Sequence, residues 1–236
     1  MTSDSLSDRL HDVQETISNA CARSKRNPDD IHLIAVTKTR PTAICEAAHA
    51  LGLLDQGENY IQEWDEKASA LSGLTPPLRW HMIGRLQSNK IRFLAGRTHL
   101  IHTVDRLKLM KALHARGEQI GEKVAFLLQV NIAREEQKGG CSIEECRQLA
   151  LLSYALPHIS LCGLMTVAPF SDDPESSRPI FRELRHLLEE IRNEASSEDR
   201  QYLTELSMGM SGDLGVAVEE GATLVRVGSA LFGPRI

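Results

Sequence analysis

Lys38 is the residue whose type and position in this sequence most clearly suggest chemistry. It follows an almost continuous apolar run over residues 31–36, which is typical of a parallel strand covered on both faces. Pro41 suits the first turn of a helix, with Thr39 or Arg40 as its N-cap. A lysine placed after such a strand is either an exposed loop charge or a partly desolvated amine that forms a Schiff base.

Two short segments near the end of the sequence have the composition of anion-binding turns. Residues 207–212 read Ser-Met-Gly-Met-Ser-Gly and residues 228–230 read Gly-Ser-Ala, each directly after a predicted strand. These glycines could simply make tight turns, but backbone N–H groups of two such turns side by side would hold a phosphate. Arg226 shares the strand side of Gly228, so in a barrel interior it would need an acceptor. A lysine together with a phosphate site fits pyridoxal 5′-phosphate (PLP).

The elements that would position these residues alternate regularly between strand and helix. This alternation predicts parallel strands joined by right-handed crossovers, and eight strands favour one closed (β/α)8 TIM barrel over residues 1–236. An amphipathic helix before the first strand would complete the outer ring. Asp105 is the expected N-cap of one helix, and Ser142 with Glu145 forms a capping box for another. The predicted strands are 31–36, 53–59, 78–84, 99–104, 123–131, 159–166, 202–206 and 223–228.

Composition excludes several classes of partner. A net charge of −5 argues against nucleic acid or an anionic membrane surface, and no apolar run approaches the ~20 residues of a membrane span. The five cysteines form no CxxC pair, which argues against structural zinc and predicts reduced thiols. The N-terminal residues lack the features of a signal peptide. We therefore expect a cytoplasmic protein without a metal site.

Eight stretches of the sequence resemble the pyridoxal-phosphate homeostasis protein family, whose members are single-domain relatives of the alanine racemase barrel. They are AVTKTRP (35–41), GENYIQE (57–63), WHMIGRLQSNK (80–90), HTVDR (102–106), LQVNI (128–132), GLMTVAP (163–169), LSMGMSGD (206–213) and VRVGSALFG (225–233). The resemblance implies an aldimine between PLP and Lys38. The other cofactor-binding residues that it implies or that we add to the set are Asn59, His81, Met165, Ser207, Arg226, Gly228 and Ser229.

Each of these residues has an expected role. Phosphate contacts are implied for Ser207, Gly228 and Ser229, and Arg226 is implied to face the pyridine nitrogen. Asn59 and Met165 are implied to line the cofactor. His81 is our addition to the pocket, although a partly buried histidine satisfied by backbone groups would have the same sequence signature.

Three functions compete on such a barrel: a protein that holds and hands over PLP, a PLP-dependent amino-acid racemase or decarboxylase, and a cofactor-free Schiff-base aldolase. The motifs disfavour the aldolase. Racemisation needs acid–base groups on both faces of the cofactor. Alanine racemases take the second from a tyrosine of an additional domain that we do not find here, and Tyr60 is the nearest candidate. We therefore expect a non-enzymatic monomer that delivers PLP to apo-enzymes.

Overall fold

Eight parallel strands close into a barrel in sequence order, with β8 pairing with β1. This computed structural model describes residues 5–135, 137 and 139–234. The closed barrel confirms the predicted (β/α)8 architecture, and each observed strand lies within or within one residue of a predicted range. The strands are β1 (His32–Val36), β2 (Asp55–Glu58), β3 (Arg79–Met82), β4 (Leu100–Val104), β5 (Val124–Gln129), β6 (Ile159–Met165), β7 (Glu205–Ser207) and β8 (Leu224–Val227).

Helices surround the barrel between successive strands. The first helix packs against the helices that precede and follow β8, so it completes the outer ring as predicted. The helices are α1 (Leu6–Ser24), α2 (Thr42–Ala50), α3 (Ile61–Ala70), α4 (Ile91–Leu94), α5 (Leu107–Ile120), α6 (Ile143–Ser153), α7 (Arg178–Glu194), α8 (Ser197–Arg200), α9 (Leu214–Glu219) and α10 (Ser229–Phe232). Short 3₁₀ turns occur at Pro28–Asp30, Ser88–Lys90 and Pro174–Ser177. None of the helices in the described ranges is long and apolar enough to cross a bilayer.

The predicted helix starts had mixed outcomes. The capping box of Ser142 and Glu145 is confirmed at the start of α6. The prediction for Asp105 was wrong: α5 begins at Leu107, its N-cap position is occupied by Arg106, and Asp105 pairs with that arginine side chain instead. The ion pair between neighbouring residues takes the carboxylate that would otherwise cap the helix.

The start of α2 also differs from the prediction. Pro41 occupies the N-cap position, one residue earlier in the helix than expected, and α2 begins at Thr42. Thr39 is not a cap, because it adopts a left-handed backbone conformation with φ of 61°. A residue in that conformation belongs to the turn that follows β1, and this turn carries Lys38.

The two faces of the sheet are buried in different ways. The outer face and the helices form one large apolar core. Inside the barrel the apolar cluster is small and contains Ile34, Leu100, Leu127, Met165 and Leu224. The remaining interior space is occupied by buried polar side chains, which are Asp55, His81, His102, Ser207 and Arg226. A polar barrel interior is costly unless its groups are hydrogen-bonded to one another.

Candidate functional site

A cavity of about 640 Å³ opens at the carboxyl ends of the strands. This volume lies within the ~300–1,000 Å³ that is usual for small-molecule sites, and barrels carry their chemistry at this end. Six of the eight predicted cofactor residues line it, namely Lys38, Asn59, Met165, Arg226, Gly228 and Ser229. The closed barrel therefore brings together residues that lie up to 191 positions apart in the sequence (229 − 38).

Three charged side chains, which are buried or half-buried, hold the turn that carries Lys38. Lys67, on α3, donates from Nζ to the carbonyl oxygen of Thr37 at 2.8 Å, to Glu58 at 2.7 Å and to Glu63 at 2.7 Å. Glu63 in turn accepts the backbone N–H of Thr39 at 2.6 Å. Both neighbours of Lys38 are thus fixed by one group of side chains, Glu58, Glu63 and Lys67, which we call the Lys67 clamp.

Lys67 carries its charge inside the protein. Burial opposes the charged amine, but the hydrogen bonds to Glu58 and Glu63 outweigh burial and raise the pKa of Lys67. The sequence interpretation missed this residue, because a lysine within a helix most often faces water. The available signal was its position four residues after Glu63, which places the two side chains on one helix face.

Replacing Lys67 by methionine is expected to lower the free energy of unfolding by about 3 to 5 kcal/mol, since it leaves the Glu58 carboxylate buried without its cationic partner. Urea denaturation of the protein without added ligand measures this change. Arg147→Gln is the matched control, because it breaks an ion pair with Glu190 that is largely exposed. Exposed pairs contribute about 0 to 1 kcal/mol. Equal losses in the two variants would contradict a structural role for the clamp.

Arg226 forms part of the cavity floor, where only 4% of its surface is exposed. Its guanidinium donates from Nη1 to Ser207 Oγ at 2.5 Å and from Nη2 to the carbonyl oxygen of Thr166 at 2.9 Å. Burial lowers the pKa of Arg226 to about 10, and the nearby Asp213 carboxylate limits that fall. The side chain therefore stays charged at neutral pH and offers only donors to the cavity.

Ser207, which the resemblance implied as a phosphate contact, is not among the residues that line this cavity. Its hydroxyl is fully buried in the barrel interior between Arg226 and His102, below the cavity floor. Ser211, four residues later, lines the cavity instead, and its hydroxyl accepts the backbone N–H of Ala230 at 3.2 Å. That bond ties the loop after β7 to the first turn of α10. Both serines lie in the segment that the sequence singled out, but the end of β7 decides which one reaches the cavity.

His81 also lies away from the cavity that contains Lys38. It belongs to the interior of β3, where Nε2 contacts Asp55 Oδ1 at 3.0 Å and Nδ1 contacts His102 Nε2 at 3.0 Å. With Asp55 and Arg79 it borders a second cavity of about 490 Å³ at the amino ends of the strands. The pairing of His81 with Gly57 in the middle of β2 places the histidine below the strand ends.

Asn59 provides a direct test of whether the cavity suits a polar ligand. Its side-chain Oδ1 is buried and has no hydrogen-bond partner among the described residues. Gly84 packs so closely on its backbone that any side chain there would clash, which keeps Asn59 in place. A buried amide oxygen without a partner is costly, and a bound molecule with a hydrogen-bond donor would satisfy it. The site thus fits a ligand that combines polar groups with an apolar body.

Comparison with known proteins relates the whole chain to one group. Residues 10–235 match the model of the family described as alanine racemase, N-terminal domain. The pyridoxal phosphate homeostasis protein of Aquifex aeolicus is 41% identical over 228 residues, which are 97% of each chain. The protein of that name from Escherichia coli K12 is 34% identical and aligns over 98% of this chain and 97% of its own. The chain belongs to the pyridoxal phosphate homeostasis protein family.

Solved structures agree with this assignment. PipY of Synechococcus elongatus PCC7942 without PLP is 36% identical, with a TM-score of 0.82 over 94% of this chain and 100% of its own. The structure of PipY with PLP bound gives a TM-score of 0.81. Alanine racemase of Clostridium difficile 630 is only 16% identical, with a TM-score of 0.73, and this chain covers 57% of it. The likeness to the racemase concerns the fold alone.

Two features of this pyridoxal phosphate homeostasis family member bear on acid–base chemistry. Tyr60 is the N-cap residue of α3, its surface is 58% exposed, and it does not line the cavity. The ionisable residues that line the cavity in the described part of the chain are Lys38, Arg40, Asp213 and Arg226. The Asp213 carboxylate already accepts the Met210 N–H at 2.6 Å and the Ser177 hydroxyl at 3.2 Å.

Proposed function

We propose that this protein binds PLP in the cavity at the carboxyl ends of the strands and serves PLP homeostasis without a dedicated reaction of its own. The observation that carries the proposal is that one cavity unites Lys38, Arg226 and the turns after β7 and β8. A covalently reactive amine, a fixed cation and two phosphate-type turns are the groups that a phosphorylated pyridine aldehyde needs. The names of the relatives and the PLP in one PipY structure support the same ligand.

Each of these residues is proposed to contact a different part of the cofactor. Lys38 bonds to the aldehyde carbon, Arg226 donates toward the ring nitrogen, and Asn59 and Met165 border the ring. The backbone of Gly228 and Ser229 holds the phosphate, and Ser211 takes the place that the sequence had suggested for Ser207. When bound, the cofactor supplies an aldehyde that exchanges between amines and a ring that can accept electrons.

A holding role is favoured over racemisation by the groups that surround the cavity. A guanidinium only donates and cannot accept a hydrogen bond from a protonated ring nitrogen, so Arg226 leaves the ring a weaker electron sink than an aspartate would. Racemisation also needs a second acid–base group opposite Lys38. Tyr60 points to solvent, and Asp213 is occupied by two hydrogen bonds. The alternative is a racemase-type enzyme, and the match to the family of the alanine racemase N-terminal domain supports that alternative.

Purified protein loaded with PLP is expected to show no racemase turnover on a panel of amino acids beyond a small factor above free PLP. Loss of a positioned general base costs about 100- to 10,000-fold in rate. Circular dichroism of each amino acid over time measures the turnover. The same preparation should restore activity to an apo-enzyme that requires PLP. Several turnovers per second on one amino acid, abolished by Lys38→Ala, would establish the racemase instead.

We also propose the recipients of the cofactor, the oligomeric state of the protein and its compartment. Apo-enzymes that need PLP are the proposed recipients, and the protein is proposed to act as a monomer. The cytoplasm is the proposed compartment, which is supported by five cysteines that are all free thiols.

A further inference from the structure

A continuous row of hydrogen bonds runs through the barrel from the amino-end cavity to the cavity that contains Lys38. Asp55 contacts His81 at 3.0 Å, His81 contacts His102 at 3.0 Å, and His102 Nδ1 contacts Ser207 Oγ at 2.8 Å. Ser207 Oγ then meets Arg226 Nη1 at 2.5 Å. All five residues are buried, and we call them the interior chain.

With both histidines neutral and the Asp55 carboxylate ionised, only one arrangement of protons satisfies every link. Arg226 can only donate, so the Ser207 oxygen accepts from it and the single Ser207 hydrogen donates to His102 Nδ1. That nitrogen must therefore be unprotonated, and His102 carries its hydrogen on Nε2, which donates to His81 Nδ1. By the same logic His81 donates from Nε2 to the Asp55 carboxylate. Every donor in the interior chain points from Arg226 toward Asp55.

This arrangement of hydrogen bonds explains how the buried Arg226 guanidinium keeps its charge and a single orientation. Its two acceptors, Ser207 Oγ and the Thr166 carbonyl oxygen, are neutral, and the Asp213 carboxylate is bound to other donors. Aligned hydrogen bonds polarise one another, which strengthens the bond that Ser207 accepts from Arg226. Asp55 is itself held by Arg79 through bonds of 2.7 and 2.5 Å.

We propose that Ser207 and His102 are positioning residues, which hold the Arg226 guanidinium in one orientation at the cavity floor through the interior chain. This inference rests on the proposed function, because it assigns Arg226 to the cofactor ring rather than to the phosphate. It also requires His102 to be neutral. Burial lowers the pKa of His102 far below its usual value, and repulsion from the Arg226 guanidinium adds to that fall.

The protein without cofactor provides the first test. Long-range ¹H–¹⁵N spectra of histidine-labelled protein are expected to show His102 as a neutral Nε2–H tautomer from about pH 5.5 to 8, whereas an unperturbed histidine titrates in that range. In Ser207→Ala the Nδ1 signal of His102 should shift, because that nitrogen loses its donor. Ser153→Ala is the matched control, since it removes a buried hydroxyl that bonds only within α6. An Nδ1–H tautomer at His102, or a charged His102 in this range, would refute the chain.

Affinities for PLP and pyridoxal provide the second test. Ser207→Ala is expected to weaken both ligands by at least about tenfold, and by the same factor, because Arg226 contacts the ring that both share. A phosphate role for Ser207 predicts a loss for PLP alone, so that result would overturn the proposal, as would unchanged affinity for both. His102→Gln is expected to retain most of the affinity, since its amide can donate to His81 and accept from Ser207.

Two controls distinguish a change in binding from a failure of the variant to fold. Thermal unfolding of each variant verifies that it folds, and Ser207→Cys, with its weak thiol donor, replaces Ser207→Ala with the same expectations if the alanine variant does not fold. If the wild-type protein bound neither ligand, the proposed function would fail, whereas the tautomer spectra would still decide the interior chain by itself.

Discussion

Lys38→Ala is expected to abolish covalent attachment of PLP, while binding without a covalent bond persists. The amine of Lys38 lines the cavity at the end of β1, and its removal takes away the nucleophile but leaves the turns after β7 and β8 intact. Borohydride treatment of wild-type protein with PLP should yield one labelled peptide, which contains residue 38. Intact-mass spectrometry of the variant should detect no stable adduct.

Lys90→Ala is the control for this experiment, because Lys90 ends the short 3₁₀ turn after β3 and does not line the cavity. It should label as the wild type does. Absorbance titration of Lys38→Ala with PLP measures the non-covalent binding that remains. If the label moved to Lys90 or another lysine, or if wild-type protein took up none, Lys38 would lose its assignment.

Removing the phosphate from the ligand is the second change with a large expected effect. Charge-assisted hydrogen bonds from backbone N–H groups contribute about 1.5 to 3 kcal/mol each. Two of them, from the turn at Gly228 and Ser229, correspond to at least about a 100-fold difference in dissociation constant. Pyridoxal is therefore expected to bind at least about 100-fold more weakly than PLP, as measured by fluorescence titration at equal ionic strength.

Pyridoxine 5′-phosphate is the informative counterpart, since it keeps the phosphate and lacks the aldehyde. It should compete with PLP for the wild-type protein and bind Lys38→Ala about as well as PLP does. Similar affinities for pyridoxal and PLP would show that the turns after β7 and β8 do not hold the phosphate. Competition between inorganic phosphate and PLP, measured in the same titration, reports whether the turns after β7 and β8 bind phosphate when no pyridine ring is attached to it.

The local pattern of apolar residues in the sequence was sufficient to predict the class of fold. Apolar runs of strand length alternate with helical spacing throughout the chain, and eight such units leave a closed parallel barrel as the natural arrangement. The capping box of Ser142 and Glu145 was also predictable, because its two bonds join residues three positions apart. Lys38 could be placed at a strand end for the same reason, since its strand is a nearly unbroken apolar run.

The N-cap predictions mark the limit of local reasoning. Asp105 has the right side chain for a cap, yet it bonds to its neighbour Arg106, and the helix starts one position later. Thr39 would suit a cap as well, but Glu63 on the next helix accepts its N–H and Lys67 holds the carbonyl of Thr37. An ion pair between neighbouring residues in the first case, and contacts from α3 in the second, outweigh a capping preference of about 1 kcal/mol.

What only the tertiary structure decided is the depth of each interior side chain. Alternation along a strand predicts that His81, Ser207 and Arg226 point inward, but tilt and stagger of the strands set how far each lies from the mouth. Arg226 reaches the cavity, Ser207 lies beneath it, and His81 lies near the opposite end. The sequence by itself thus determined the barrel and the position of Lys38 after the first strand. The closed register decided that Ser211 borders the cavity and that Ser207 contacts Arg226, because strand pairing fixes neighbours that the sequence separates by many residues.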